Sequence, residues 1–89
     1  MVHRDLQIVN KLGLHARAAA KLVNCATRFA SLIEVERRGQ RVNAKSIMGI
    51  MMLAASRGTW IVVDATGEDE EDAMAAITAL ISNRFGEEE

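Results

Sequence analysis

The chain has 89 residues, 49% of them hydrophobic, and a formal net charge of −1 at pH 7, which is typical of one small globular domain over residues 1–89. A chain this short builds one modest core, so no deep substrate cavity is expected. The near-neutral charge argues against a nucleic-acid partner held by phosphate neutralisation, and the single cysteine, Cys25, excludes an internal disulfide.

The first predicted elements are a strand and an amphipathic helix. Alternation of polar and apolar residues predicts a half-buried strand near the N-terminus, with one face formed by Leu6, Ile8 and Leu12. Gln7 and Asn10 are the polar residues between these apolar positions. From Ala16 to about Phe29 the residues are strong helix formers, with apolar members at steps of three and four. This segment is predicted as the first helix, which begins directly after His15.

A hairpin and a short helix are predicted next. Two β-rich runs, residues 32–37 and 40–43, meet at Arg38-Gly39, where glycine permits the positive φ that a tight turn needs. Ser46 is a good N-cap, because its hydroxyl can accept a hydrogen bond from a free backbone N–H of the first helical turn. A short helix from Ser46 through about Leu53 is therefore expected.

The second half of the chain is predicted to contain a central strand and the last helix. Residues 59–66 are rich in residues that favour strands. The acidic run 68–72 precedes or enters the last helix and complements its positive end, whereas residues 87–89 are expected to form a frayed tail. The order β-α-β-β-α-β-α predicts an α+β open-faced sandwich, a four-stranded antiparallel sheet covered on one face by three helices.

Neither a metal site nor a membrane segment is predicted. The two histidines and one cysteine offer no ligand pair at the usual spacing, so no metal ion and no cofactor are expected. The longest apolar run, residues 47–55, is far shorter than the roughly 20 residues that span a bilayer. No apolar stretch typical of a secretory signal is present at the N-terminus, and we expect a cytoplasmic protein.

One short segment has the pattern of a chemical site. Gly13–Arg17 places His15 where a glycine turn meets a helix, and the free N–H groups there, including those of Ala16 and Arg17, favour an anion. Neutral imidazole is a nucleophile, and the Arg17 guanidinium can pair with phosphate oxygens. These features fit phosphoryl carriage on His15, although a surface histidine that only caps the helix has the same local pattern. His3 has none of them and is expected to be an ordinary surface residue.

Two motifs identify a family. Asn10–Arg17 (NKLGLHAR) and Asn43–Leu53 (NAKSIMGIMML), at this separation, closely resemble the HPr family, the histidine phosphocarriers of the bacterial phosphoenolpyruvate-dependent phosphotransferase system. The resemblance covers essentially the whole chain. Many members have proline where this chain has Ala18, and alanine loosens the first helical turn only slightly. The substitution leaves open whether the branch is sugar transport or nitrogen-related regulation.

The resemblance implies roles for the site residues. His15 would accept a phosphoryl group on Nδ1 from phosphorylated enzyme I and pass it to a histidine of an IIA-type domain, and Arg17 would stabilise that group during both transfers. The serine matching Ser46 is a regulatory site, phosphorylated in bacteria that possess an HPr kinase/phosphorylase. The chain would then be a carrier and not an autonomous enzyme, because partner active sites complete the chemistry.

The resemblance also implies a partner surface on the short helix. Ile50 and Leu53 are expected to join the core. The outward apolar centre of the surface would consist of Ile47, Met48 and Met51, although core filling is the ordinary role of methionine. Its basic rim would consist of Lys11, Arg17, Lys21, Arg28 and Lys45. This fits the charge distribution, since residues 1–46 contain nine basic and three acidic side chains and residues 47–89 two basic and nine acidic ones. We expect a monomer that forms transient complexes.

Two other functions stay open on the sequence alone. A purely regulatory binding module would act through Ser46 and the face formed by Met48 and Met51, with His15 incidental. A metal-binding or nucleic-acid-binding domain rests on the element pattern alone. Loss of phosphorylation in His15→Ala distinguishes the carrier from both.

Overall fold

Alternation of apolar and polar residues gives the sheet one buried and one open face. The computed structural model describes residues 1–89. In chain order the strands are β1 (Val2–Gln7), β2 (Leu32–Arg37), β3 (Gln40–Asn43) and β4 (Trp60–Thr66). All neighbouring pairs are antiparallel and the strand order is β1-β4-β2-β3, so β4 lies in the interior of the sheet, as predicted. Arg38 and Gly39 both have positive φ, which is the geometry of a two-residue hairpin turn.

Three helices cover the buried face of the sheet. They are α1 (Ala16–Ala26), α2 (Ile47–Met52) and α3 (Glu70–Ser82), and a 3₁₀ turn at Arg84–Gly86 follows α3. Their apolar sides close one core with the inner residues of the strands, among which the fully buried members include Ile8, Leu22, Ile33, Ile50 and Ile77. None of the helices has the length and apolar character needed to cross a membrane. The predicted architecture, an open-faced sandwich with this element order, is confirmed.

The first helix ends earlier than the sequence pattern predicts. Periodicity extends it to about Phe29, but α1 ends at Ala26 and the chain continues as a turn. Beyond it, the backbone N–H groups of Ala30 and Ser31 donate to the Asp69 carboxylate at 2.8 and 2.9 Å. Hydrogen bonds to Asp69 therefore replace those of a further helical turn, and they join the end of α1 to the start of α3.

The N-terminal strand is shorter than its predicted pattern. Leu6 and Ile8 are buried as expected, whereas Leu12 is 66% exposed although it was expected on the same face. The chain turns at residues 10–13, where the Gly13 N–H donates to the Asn10 carbonyl oxygen, so Leu12 no longer follows the alternation of the strand. Asn10 is a polar residue that is completely buried. Asn10 is buried because its side-chain Nδ2 donates to the carbonyl oxygen of Gly13 at 2.8 Å across that turn.

The C-terminal tail is docked, and its predicted fraying is wrong. The Phe85 side chain is buried in the core, although its backbone adopts a positive φ of 55°. The Lys21 ammonium donates to the Phe85 carbonyl oxygen at 2.6 Å, and the Lys11 backbone N–H donates to the Glu89 carbonyl oxygen at 2.9 Å. These contacts hold residues 87–89 against the turn that precedes α1.

Candidate functional site

The turn before α1 places His15 at a helix N-terminus. Gly13 has φ of +65°, and a Cβ there would lie 2.4 Å from the Ala55 carbonyl oxygen, so only glycine fits without a shift of the backbone. The N–H of Leu14 donates to the same oxygen at 2.8 Å. His15 follows in an extended conformation, and its carbonyl oxygen accepts the first helical hydrogen bond, from Ala19. The imidazole makes no capping hydrogen bond and is free for other contacts.

The surroundings of His15 suit an anion. The backbone N–H groups of Ala16 and Arg17 have no acceptor within the protein, as expected for the first turn of a helix. The Arg17 side chain is exposed and makes no ion pair or hydrogen bond. An open depression of about 480 Å³ lies here, lined by Lys11, Leu12, His15, Arg17, Glu87, Glu88 and Glu89. A phosphoryl group on His15 would thus meet free N–H donors and an uncommitted guanidinium.

A carboxylate from the tail contacts the other side of the site. Glu87 Oε2 lies 2.8 Å from His15 Nε2, and Glu87 Oε1 accepts a hydrogen bond from Asn10 Nδ2 at 3.1 Å. The side chains of His15 and Glu87 are 28% and 16% exposed, so the pair is partly shielded from water. His15 Nδ1 has no hydrogen-bond partner. The two ring nitrogens therefore differ, since Nε2 is engaged and Nδ1 is free.

The hydrogen bonds at Glu87 also determine its charge. Burial raises the pKa of Glu87, but the hydrogen bonds from His15 and Asn10 outweigh it, and the net pKa is lower than that of an ordinary glutamate. Lys21 adds a smaller favourable interaction with the charged form. An ionised Glu87 can only accept hydrogen bonds, so the contact with His15 is a hydrogen bond when the proton is on Nε2.

Ser46 and the short helix have the geometry that the sequence predicts. Ser46 is the N-cap of α2, and its Oγ accepts a hydrogen bond from the N–H of Gly49 at 3.1 Å. Ile50 and Leu53 are buried, which confirms their placement in the core. The outward apolar residues of α2 are exposed, by 42% for Ile47, 74% for Met48 and 44% for Met51. Met52 is exposed as well, and it was not expected in this set.

The predicted basic residues are divided between the two ends of α2. Lys11 lines the His15 depression and forms an ion pair with Glu89 at 3.2 Å. Lys21 holds the C-terminal turn, and Lys45 Nζ donates to the Phe29 carbonyl oxygen at 2.8 Å. The loop before His15 is bonded to Ala55, which follows α2, whereas Ser46 and Lys45 precede it. A helix of six residues is about 9 Å long, so Ser46 and His15 flank it at opposite ends.

The open face of the sheet contains a charge cluster that the sequence did not reveal. The Asp64 carboxylate accepts hydrogen bonds from Arg41 Nη1 at 2.6 Å and from His3. Arg41 also pairs with Glu34 and Glu36. The Arg41 hydrogen bond lowers the pKa of Asp64 although burial opposes it, and the His3 contact lowers it further. His3 is exposed as predicted, but it is bonded to Asp64 and links β1 to β4.

Sequence analysis missed Glu87, and one signal could have pointed to it. Residues 87–89 are all glutamates, which is typical of a solvated tail. Phe85 stands just before them, and an aromatic residue so close to such a tail indicates an anchor in the core. No local spacing connects Glu87 to His15, because the contact spans 72 positions.

Known proteins share both the sequence and the structure. Residues 2–83 match the family described as the PTS HPr component phosphorylation site. The chain is 55% identical to phosphocarrier protein HPr of Cupriavidus necator and 51% identical to that of Neisseria meningitidis, in each case over 89 residues that cover all of both chains. Its structure is similar to a crystal structure of HPr from Thermoanaerobacter tengcongensis, with a TM-score of 0.97 and 49% identity over the full length of both chains.

These relatives also decide between the functions left open by the sequence. They are phosphocarrier proteins matched over their whole length, which favours phosphoryl carriage over a purely regulatory binding module. A carrier is consumed and regenerated by its partners and is not itself a catalyst. The chain belongs to the HPr family, the phosphocarrier proteins of the bacterial phosphotransferase system.

Proposed function

We propose that His15 is the phosphoryl acceptor of this phosphocarrier. Its Nδ1 takes the phosphoryl group from a phosphohistidine of enzyme I and delivers it to a histidine of an IIA-type domain. The proposal rests on the different surroundings of the two ring nitrogens. Nε2 lies 2.8 Å from the Glu87 carboxylate, whereas Nδ1 has no hydrogen-bond partner and lies beside a helix N-terminus. A free lone pair at the positive end of a helix suits attack on phosphorus.

Two groups stabilise the transferred phosphoryl group. The N–H groups of Ala16 and Arg17 are unpaired and donate to its oxygens. The Arg17 guanidinium breaks no existing contact when it moves onto phosphate, and its forked donors match two oxygens at once. Because both groups interact with charge that is absent before transfer, they favour the phosphorylated state over the free one.

The exposed face of α2 is the proposed docking surface for enzyme I and the IIA-type domains. Its apolar centre consists of Ile47, Met48 and Met51, which are exposed by 42% or more. Methionine suits a surface that binds several partners, because its flexible side chain repacks. The basic residues of the rim are Lys11, Arg17, Lys21, Arg28 and Lys45. Lys21 and Lys45 bond to neutral carbonyl groups and form no ion pair, so they can still attract an acidic partner.

Ser46 is the proposed regulatory site in hosts with an HPr kinase/phosphorylase. Its Oγ is at the surface at the start of α2, two residues before Met48. A phosphate on Oγ retains oxygen acceptors for the Gly49 N–H, so α2 stays capped. It adds close to two negative charges beside the docking surface, which weakens binding of an acidic partner. We further propose that residues 1–89 act as one cytoplasmic, monomeric domain without a cofactor.

The position of the phosphate on the ring tests this proposal. After phosphorylation with enzyme I and phosphoenolpyruvate, the adduct should be acid-labile and base-stable, and ¹⁵N-histidine labelling should show phosphorus coupled to Nδ1 of His15. His15→Ala should take up no phosphate, whereas His3→Ala should be phosphorylated like the wild type. Phosphate on Nε2, or uptake by His15→Ala, would contradict the proposal.

A further inference from the structure

Glu87 has the surroundings of a fixed functional group. Its side chain is 16% exposed, and its two oxygens are bonded to different partners, Nε2 of His15 and Nδ2 of Asn10. Asn10 is itself completely buried and donates to the Gly13 carbonyl oxygen in the turn that positions His15. One amide thus joins the carboxylate to the backbone of the His15 loop. This arrangement determines the distance between Glu87 and the imidazole.

The chain around Glu87 is anchored on both sides. Phe85, two residues before it, is buried in the core, and its carbonyl oxygen accepts the Lys21 ammonium at 2.6 Å. Glu89, two residues after it, accepts the Lys11 backbone N–H at 2.9 Å. The backbone of Phe85 has a positive φ of 55°, which costs free energy for a bulky residue and is offset by burial of its ring. The contact between Glu87 and His15 is therefore imposed by the fold.

Other charged groups share the depression without touching the ring. Its lining also includes Lys11, Arg17, Glu88 and Glu89, and Lys11 is paired with Glu89 at 3.2 Å. Lys21 interacts with Glu87 through space. Only Glu87 forms a hydrogen bond with the imidazole. Glu71, in the first turn of α3, is exposed and lies outside this depression, which makes it a suitable comparison residue.

We propose that Glu87 is a positioning residue for phosphoryl transfer, which keeps the proton of His15 on Nε2 and balances the positive charge that the ring acquires when Nδ1 is phosphorylated. The inference rests on the proposed role of His15. In a Ser-His-Asp triad the aspartate orients the histidine, selects its tautomer and balances its charge. Glu87 would do the same for His15.

The transfer step balances with Glu87 in this role. The lone pair of His15 Nδ1 forms the bond to phosphorus while the N–P bond of the donor breaks and its electrons return to the donor ring. The proton on Nε2 stays in place, so the His15 ring gains one positive charge beside the ionised Glu87. Onward transfer returns the electrons of the Nδ1–P bond to Nδ1, and the ring becomes neutral again. No proton has to leave or enter the site in either direction.

Charge and tautomer can be separated by two substitutions at one position. Glu87→Gln retains a carbonyl oxygen that accepts the Nε2 proton but removes the charge, whereas Glu87→Ala removes both. Glu87→Asp keeps the charge on a shorter side chain and should recover part of the loss. Glu71→Gln is the matched control, because it makes the same change of net charge at an exposed residue outside the depression.

The first readout is the tautomer of His15 in the unphosphorylated protein, measured above neutral pH from the ¹⁵N shifts of the ring. Wild type and Glu87→Gln should have the proton on Nε2, and Glu87→Ala should show a mixture. A proton on Nδ1 in the wild type would overturn the inference. Hydrogen exchange at the Lys11 amide, which donates to Glu89, reports in parallel whether the tail stays docked in each variant.

The second readout has two parts. One is the rate at which phosphorylated enzyme I transfers its phosphoryl group to each variant, and the other is the pH dependence of phosphate loss from the phosphorylated variant. Loss of one charged hydrogen-bond partner should lower the transfer rate of Glu87→Gln by about tenfold to a hundredfold. Its pH profile should shift to lower pH, because the positively charged ring loses its counter-charge. Glu71→Gln should stay within about twofold of the wild type.

The inference fails if wild type and Glu87→Gln have equal transfer rates and equal pH profiles while the tail is docked in both. Glu87 would then only hold the tail in place. If the wild type itself takes up no phosphate, the proposed function of His15 fails. The tautomer measurement is then unaffected, so failure of that function and failure of the role of Glu87 are distinguishable.

Discussion

Substitution of Gly13 tests how the fold positions the phosphoryl acceptor. In Gly13→Ala the new Cβ would lie 2.4 Å from the Ala55 carbonyl oxygen and 2.8 Å from Ser56 Cα, both of which belong to the backbone and cannot rotate away. The residue must also keep a φ of +65°, which costs about 1 kcal/mol for alanine. Relief of the overlap separates the Leu14 N–H from Ala55, which adds about 1–3 kcal/mol.

The expected total for Gly13→Ala is about 2–4 kcal/mol of lost folding free energy. For a domain of this size that corresponds to a fall in melting temperature of about 10–25 °C. Gly58→Ala is the matched control, because Gly58 also has positive φ, +87°, but an added Cβ there meets no atom within 4 Å. It should cost only the conformational term, about 1 kcal/mol.

Thermal and denaturant unfolding of the two variants measure this difference. Below its melting temperature, Gly13→Ala should also accept phosphate more slowly, because relief of the clash displaces His15, whereas Gly58→Ala should accept it at the wild-type rate. Equal destabilisation by the two substitutions would refute the steric argument, and a Gly13→Ala variant as stable as the wild type would refute the whole reasoning.

Three further predictions concern other parts of the molecule. Asp64→Asn should lower the free energy of unfolding by about 1–3 kcal/mol at neutral pH. Because the pKa of Asp64 is lowered in the folded protein, this loss should shrink as the pH falls below about 4. Unfolding measured across an acid pH series tests this. Asp69→Asn should lower the melting temperature at neutral pH and much less in acid, because the Ser31 and Ala30 hydrogen bonds lower the pKa of Asp69; equal loss at both pH values would contradict this. Ser46→Asp should weaken binding to enzyme I, measured by calorimetry, while Ser46→Ala should reduce only stability, by about 1 kcal/mol.

The elements that local patterns determine were predictable. The hairpin at Arg38-Gly39, the cap at Ser46 and the division of α2 into buried Ile50 and exposed Met48 depend on neighbours a few positions away, and the structure confirms each. His15 at the start of α1 belongs to the same class, since a glycine turn followed by helix formers locates it without tertiary information.

The features that the sequence did not predict depend on residues far apart in the chain. Glu87 meets His15 across 72 positions, and Asp69 accepts hydrogen bonds from Ala30 and Ser31, beyond the end of α1, across 39 and 38 positions. The exposure of Leu12 follows from a turn that ends the alternation of the strand. Such contacts arise only when the core has brought distant elements together, so periodicity and capping rules do not contain them.

Measurement of intact mass tests most directly whether His15 carries the phosphoryl group. Wild type and His15→Ala are each mixed with enzyme I, magnesium and phosphoenolpyruvate, and Ser46→Ala is included so that a phosphate on serine is recognised. We expect a single phosphoryl adduct on wild type and on Ser46→Ala, and none on His15→Ala. An adduct of equal amount on His15→Ala, or none on the wild type with enzyme I shown to be active, would contradict it.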